Sequence, residues 1–202
     1  MPKLCLESDP QAVVIERVTP GKLILGLDLG TTTGYAYSWL DTDNNIPANK
    51  RLFMGQWDLS AGPYDSGAIR FVRLRQFLAT VRPALVGFED VKYTPAQKAN
   101  KFTIGAILAR AATACEWFGA LKATLCTWCE ENDIPCIGIP IGSIKKRATA
   151  RGNANKEDMI KACNDEFGTD FGIEDYNLTG ADNIADAAWV CQLVMEQHAE
   201  GM

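Results

Sequence analysis

Four carboxylates in three separate segments are the residues of this chain best placed to do chemistry. Asp28 sits in ILGLDLGTTTGYA, Glu89 ends ALVGFE, and Asp182 and Asp186 lie four apart in TGADNIADAAWV. An acid at the end of an apolar run loses hydration, and it is tolerated there when paired or bound to a cation. Asp182 and Asp186 would share one face of a helix and repel each other, which a cation would offset. Ligands that are all oxygen suit Mg²⁺ or Mn²⁺. Two such ions roughly 3.5–4 Å apart, bridged by Asp28, could activate water and stabilise a leaving oxygen, which is the chemistry of phosphodiester cleavage. Each acid also has a plainer reading. Asp28 could cap the GTTTG turn, and Asp182 and Asp186 could simply favour a helix N-terminus. Asp90 is an adjacent substitute for Glu89, but its side chain should point to the opposite sheet face.

A basic stretch accompanies the acids. Between Lys145 and Lys161 there are six Lys or Arg and two acids; beyond Lys161 there are nine acids and no Lys or Arg. Lys145, Lys146, Arg147, Arg151 and Lys156 are therefore expected to face phosphate near the carboxylates. Lys146 and Lys156 are the candidates for neutralising a transferring phosphoryl group. The plain alternative is a solvated basic helix and loop. His198, the only histidine, lies near the C-terminus and is a poor general base.

Positioning these groups takes a sheet and helices. KLILGLDL reads as a strand, GTTTG as its turn, YAYSWL as a returning strand and RLFMGQWDLS as a third. Residues 66–80 have helical spacing, and ALVGFE is a buried strand. Residues 102–131 form a long alanine-rich helix, and PCIGI is a fifth strand. GSIKKRA, ANKEDMIKACNDEF and a last helix from Asp182 or Asn183 complete the order, with Asn153 or Asn155 as a cap. The expectation is one α/β domain over residues 1–202. It has a mixed five-stranded sheet, three strands antiparallel and two parallel, flanked by helices. Residues 1–20 read as an irregular extension.

Composition narrows the class. The chain has 202 residues, 47% hydrophobic and 22% charged, enough for one sizeable core. No apolar run is long enough to span a membrane, and MPKLCLESDP lacks a secretion signal's apolar centre. Seven cysteines, several in helical or strand-like runs, read as free thiols of a reducing compartment, here the cytoplasm. A phage-encoded protein acting in a host cytoplasm fits the same description. Cys126 and Cys129 sit mid-helix without a second pair, which argues against zinc.

Taken together, LGLDLGTTTGYA, LVGFEDV, ILARAATACEWFGALKA, IPIGSIKKRATARGNANKEDM and GADNIADAAWV resemble the RuvC-type Holliday junction resolvases, within the RNase H-like nucleases. They follow the family order over about residues 23–195. The resemblance implies an RNase H-like fold and a metal-dependent endodeoxyribonuclease, with Mg²⁺ or Mn²⁺ as cofactor, two ions per site. It would resolve four-way junctions by paired symmetric nicks that leave 5′-phosphate ends. It carries the family's catalytic, metal-binding acids onto Asp28, Glu89, Asp182 and Asp186. Bacterial members space the last pair by three, which would place Asn183 first; the spacing of four found here favours Asp182, with Asn183 a weak ligand. The family's basic residues fall on Lys145 or Lys146 and on Lys156, and Ala150 stands where glycine is usual. Where bacterial members carry an aromatic wedge, this chain has Lys92 with Tyr93 beside it, so both join the DNA-binding set. The family's homodimer would form through residues 103–125, including Ala106, Ala109, Trp117 and Phe118, and C2 symmetry would supply two sites for two strands.

Three other readings remain at this level. A related nuclease could act on flaps, other branched DNA or RNA–DNA hybrid. DLGTTTG also resembles the phosphate loop of actin-like phosphotransferases, but no second such loop follows. A non-catalytic nucleic-acid-binding member of the fold would have no need of all four acids.

Overall fold

The residues that alternate along the strands furnish two unlike sheet faces, and that difference governs everything packed on them. The computed structural model describes residues 23–39, 52–91, 101–174 and 176–200, with the backbone alone for 101–114, 177 and 200. β1 (Leu23–Asp28), β2 (Thr32–Trp39) and β3 (Phe53–Asp58) form an antiparallel meander. β4 (Leu85–Asp90) pairs parallel with β1, and β5 (Cys136–Pro140) parallel with β4, so the order is β3-β2-β1-β4-β5. The helices are α1 (Ile69–Val81), α2 (Lys101–Glu131), α3 (Ile141–Thr149), α4 (Lys156–Phe167), α5 (Tyr176–Thr179) and α6 (Ala181–Glu200). This is the mixed sheet with flanking helices expected from the sequence.

Side chains alternate between faces with a period of two. Leu23, Leu25, Leu27, Tyr35, Tyr37, Val86 and Phe88 meet α1 and α2, whose Leu74, Phe77, Leu121, Leu125 and Trp128 complete one core. Ile24, Ala36, Leu85 and Ile139 look the other way, into a core built with Ile144, Met159, Ile160, Trp189 and Val190 of α3, α4 and α6. This second face is low, because β1, β2 and β4 carry Gly26, Gly34 and Gly87 on it. A Cβ on Gly26 would lie 2.5 Å from the Cys191 nitrogen and 2.6 Å from the Ala187 oxygen; on Gly34 it would overlap the Asn183 carbonyl, and on Gly87 the Val194 side chain. The backbone of α6 therefore rests on the sheet itself.

Local chemistry sets the element ends. The Thr33 hydroxyl donates to the Gly30 carbonyl at 2.7 Å, so the turn closes over Gly30 and Thr31 and β2 starts at Thr32, earlier than YAYSWL implies. Asn155, one of the two expected caps, opens α4 with a capping box: its side chain accepts from the Asp158 amide at 2.7 Å, and Asp158 accepts in return. The four-residue turn α5 was not anticipated. The N-terminal extension, the insert at 41–50 and the loop bearing Lys92 and Tyr93 lie outside the described residues, as do the side chains of Ala106 and Ala109. No helix among the described residues is long and apolar enough to cross a membrane.

Candidate metal centre

Asp28, at the carboxyl end of β1, lies on the low face, because it is two residues on from Gly26 and four from Ile24. Glu89 lies on the same face of β4, while Asp90 turns to the other side and pairs with Lys122 of α2. Asp186 comes down from the second turn of α6. One carboxylate oxygen from each of Asp28, Glu89 and Asp186 lies within 4.8 Å of the other two. Among the described residues this is the cluster able to hold a divalent cation.

The electrostatics show what a cation would relieve there. Burial raises Asp28 well above the usual carboxylate range, and the nearby Glu89, Asp186 and Asp182 raise it further. Burial likewise pushes Asp186 up to about 7, with Glu89 and Asp182 adding to it. Glu89 is also raised by burial, against an opposing hydrogen bond with Asp28 and the charges of Lys145 and Lys156. Three acids that resist ionising together in the metal-free protein would ionise readily around a divalent cation.

The fourth acid is close but differently engaged. Asp182 is 6% exposed and forms an ion pair with Lys156, which leaves it out of the close triad. That pairing holds the Lys156 ammonium above its ordinary pKa, and the ammonium lies 5.4 Å from the Tyr176 ring centre. Asn183 does not face the acids as a ligand would: its amide nitrogen donates to the Thr32 carbonyl at 3.1 Å, fastening α6 to β2.

The basic residues divide in the same way. Lys145 is half-buried, donates to the Ala154 carbonyl at 2.7 Å, and favours the ionised forms of Glu89 and Asp186. Lys146 is exposed, since adjacent helical residues point about 100° apart, so Lys145 takes the place beside the acids expected for Lys146. Arg147, expected to face phosphate, instead makes a forked pair with Glu196 at 2.7 and 3.0 Å and lies 5.5 Å over the Trp189 ring. Arg151, in the α3–α4 loop, pairs at 3.1 Å with Asp158 in the first turn of α4. On α2, the Trp117 ring is occupied within its own chain, stacked on Phe71 and covered by Arg70 at 4.4 Å. Phe118 packs against the α1–α2 core.

Some of what the site uses was not read from the sequence. Tyr176 and Gln56 have no motif around them, and only the folded chain brings them to the start of α6. The thiols of Cys126, Cys129 and Cys136 do meet between α2 and β5, yet all six described cysteines are free, and Cys163 of α4 is the one whose thiol feels the Asp186 charge.

Solved structures of RuvC are among those that share this fold. The Thermus thermophilus RuvC structure aligns with a TM-score of 0.55 at 14% identity, covering 88% of this chain and 96% of that one. The T. thermophilus RuvC in complex with Holliday junction substrate aligns with a TM-score of 0.60 at 14% identity, covering 89% and 96%. The chain has the RuvC fold. No family model and no curated protein matches the sequence. At this identity the likeness to RuvC lies in the path of the backbone, and the acidic triad of this chain stands on its own geometry.

Proposed function

We propose that the protein is a metal-dependent, structure-selective endodeoxyribonuclease that resolves four-way DNA junctions by paired symmetric nicks. The observation that carries this is the convergence of Asp28, Glu89 and Asp186 from three elements, with Lys145 and Lys156 beside them. Asp28, Glu89 and Asp186 would hold Mg²⁺ or Mn²⁺, two ions if Asp182 leaves Lys156 to join them. Such ions supply an activated water and neutralise charge on the leaving oxygen.

The chain's own groups account for the remaining requirements. Asp28 and Asp186 must be ionised to serve as ligands, so they give up the protons that burial favours in the metal-free state. Lys156 would turn from Asp182 to a non-bridging phosphate oxygen, with Lys145 held near by the Ala154 carbonyl. Water attack on phosphorus would break the bond to the 3′ oxygen and leave a 5′-phosphate end. The exposed Lys146 and the salt-bridged Arg151 would follow the flanking backbone, and Lys92 and Tyr93 are proposed as further DNA contacts. Two copies, joined through α2, would present two such sites to two equivalent strands.

The test is cleavage of a labelled four-way junction, a matched duplex, a flap and an RNA–DNA hybrid, in Mg²⁺ and in EDTA. Paired symmetric nicks in the junction, absent in EDTA and with Asp28→Asn, are expected. Equal cutting of all substrates would replace junction resolution with a general nuclease. No cutting by the folded protein in Mg²⁺ or Mn²⁺ would overturn the catalytic reading.

A further inference from the structure

One apolar side chain at this site is exposed although the turn beneath it is tied down. Leu178 of α5 is 90% exposed, four residues before Asp182. Its turn is fastened on every side. The Gly180 amide donates to the Tyr176 carbonyl at 2.8 Å, and the Gln56 side-chain amide reaches across from β3 to the Thr179 carbonyl at 2.9 Å. The Tyr176 ring lies under Lys156, which is paired with Asp182. Gly180, at φ +69°, bends the chain into α6, and the Gln56 amide fills the space where a Cβ would stand. Other exposed aliphatic residues differ: Val72, Val91, Ile137 and Ile173 are 36–46% exposed and bury the rest of their surface. The turn thus holds a leucine in water, two residues from the Tyr176 ring that lies under the Lys156–Asp182 pair, when a polar residue would cost nothing.

We propose that Leu178 is an apolar wedge that enters the base step next to the scissile phosphate at a DNA branch. This rests on the nuclease reading above and adds a determinant of substrate structure to it. The occupant follows from the surroundings. Lys156, over the Tyr176 ring of the same turn, supplies positive charge for a phosphate backbone, so an apolar group on that turn meets what lies beside a phosphate, the face of a base. Leucine is one of the side chains that proteins insert between base steps, and unstacking costs least where bases are already unpaired. A rigid wedge therefore favours a branch over a continuous duplex.

The full-length protein would be mixed, in Ca²⁺ to limit cutting, with a four-way junction carrying 2-aminopurine beside the branch, whose fluorescence rises on unstacking. Wild type should raise the signal; Leu178→Ala should lose most of the rise and cut the junction about tenfold more slowly in Mg²⁺. Junction affinity should change less than about threefold, because phosphate contacts carry it. Leu178→Phe should restore unstacking, and Val72→Ala, on α1 across the sheet, should match wild type. Equal fluorescence and cutting by wild type and Leu178→Ala would overturn the wedge, as would wild-type cutting with no rise at any branch position; either leaves the nuclease standing. Wild type that neither binds nor cuts would overturn the nuclease reading, and the wedge with it.

Discussion

The two faces of the sheet are built to opposite specifications. The α1–α2 face is tall: Tyr35, Tyr37 and Phe88 stand on it and mesh with Phe77, Leu125 and Trp128. The α6 face is low, with Gly26, Gly34 and Gly87 where side chains would otherwise hold the helix away. A tall face gains stability from apolar area. A low face gives up that area and gains proximity, which brings an acid on a helix within 4.8 Å of acids on two strands. The comparison teaches that the glycines belong to the site as much as the carboxylates do, since they set its dimensions.

The sharpest test of that division starts with the acids. Asp28→Asn or Asp186→Asn should lower cleavage on the order of a thousandfold, since each removes a ligand from a three-acid cluster. Neither should weaken the fold, because each removes a carboxylate that resists ionisation where it is buried. Thermal melts without metal should show equal or higher stability alongside the lost activity. A variant that melts earlier would mean that these acids serve the structure.

Paired substitutions then set one face against the other. Gly34→Ala puts a methyl into the Asn183 carbonyl and must lift the start of α6. Displacing Asp186 by about 1 Å should slow cleavage about a hundredfold, with about 1–3 kcal/mol of stability lost to overpacking. Leu125→Ala, fully buried on the other face, should cost about 2–5 kcal/mol yet leave the cleavage rate of folded molecules unchanged. Urea melts and single-turnover rates on both variants check this. Equal rate losses would erase the distinction between the faces.

How far the sequence announced this arrangement depends on the range of each interaction. The strand-end acids were legible because an acid closing an apolar run is anomalous locally, and the Asn155 cap because it acts three residues away. The fold class followed from the order of periodic runs. Lys145 and Lys146 were not separable, since which one faces the acids depends on the rotation of α3. Arg147 read as a phosphate contact because its partners, Glu196 and Trp189, are more than 40 residues distant. The glycines were visible individually, but their common face emerges only once β1, β2 and β4 are in register.

A smaller effect comes from protons. Asp186 titrates near 7 in the folded protein, and Asp28 and Glu89 are also raised, whereas free carboxyls titrate near 4. Between those values the folded state holds protons that the unfolded state has released. Without metal, stability should therefore fall as pH rises from about 5 to 8. Asp58 and Glu196, held low, titrate below this window. Mg²⁺ binds the ionised acids, so its addition should raise the melting temperature more at pH 8 than at pH 5. Melts in EDTA and in Mg²⁺ give both slopes, and Asp186→Asn should flatten them. An EDTA slope of the opposite sign would show that the acids are not held protonated by burial.

The smallest effect concerns how the low face keeps its lysines in place. α3 ends on Ala150 at φ 59°, a left-handed conformation that a Cβ disfavours by about 1–2 kcal/mol. The Thr149 hydroxyl steadies this end by donating to the Lys145 carbonyl at 2.9 Å and receiving the Arg151 amide at 3.3 Å. Ala150→Gly relieves the strain but also loosens the unfolded chain, so about 1 kcal/mol of stabilisation is expected, a rise of about 2–4 °C in melting temperature. The effect on cleavage separates two uses of the strain. An unchanged rate would mean that Lys145 is positioned by its bond to Ala154 alone. A slower rate in the more stable variant would mean that the strained turn sets the angle at which α3 presents Lys145 to the carboxylates, and would extend the design of the low face, stability given up for placement, from the sheet to the loop beside it.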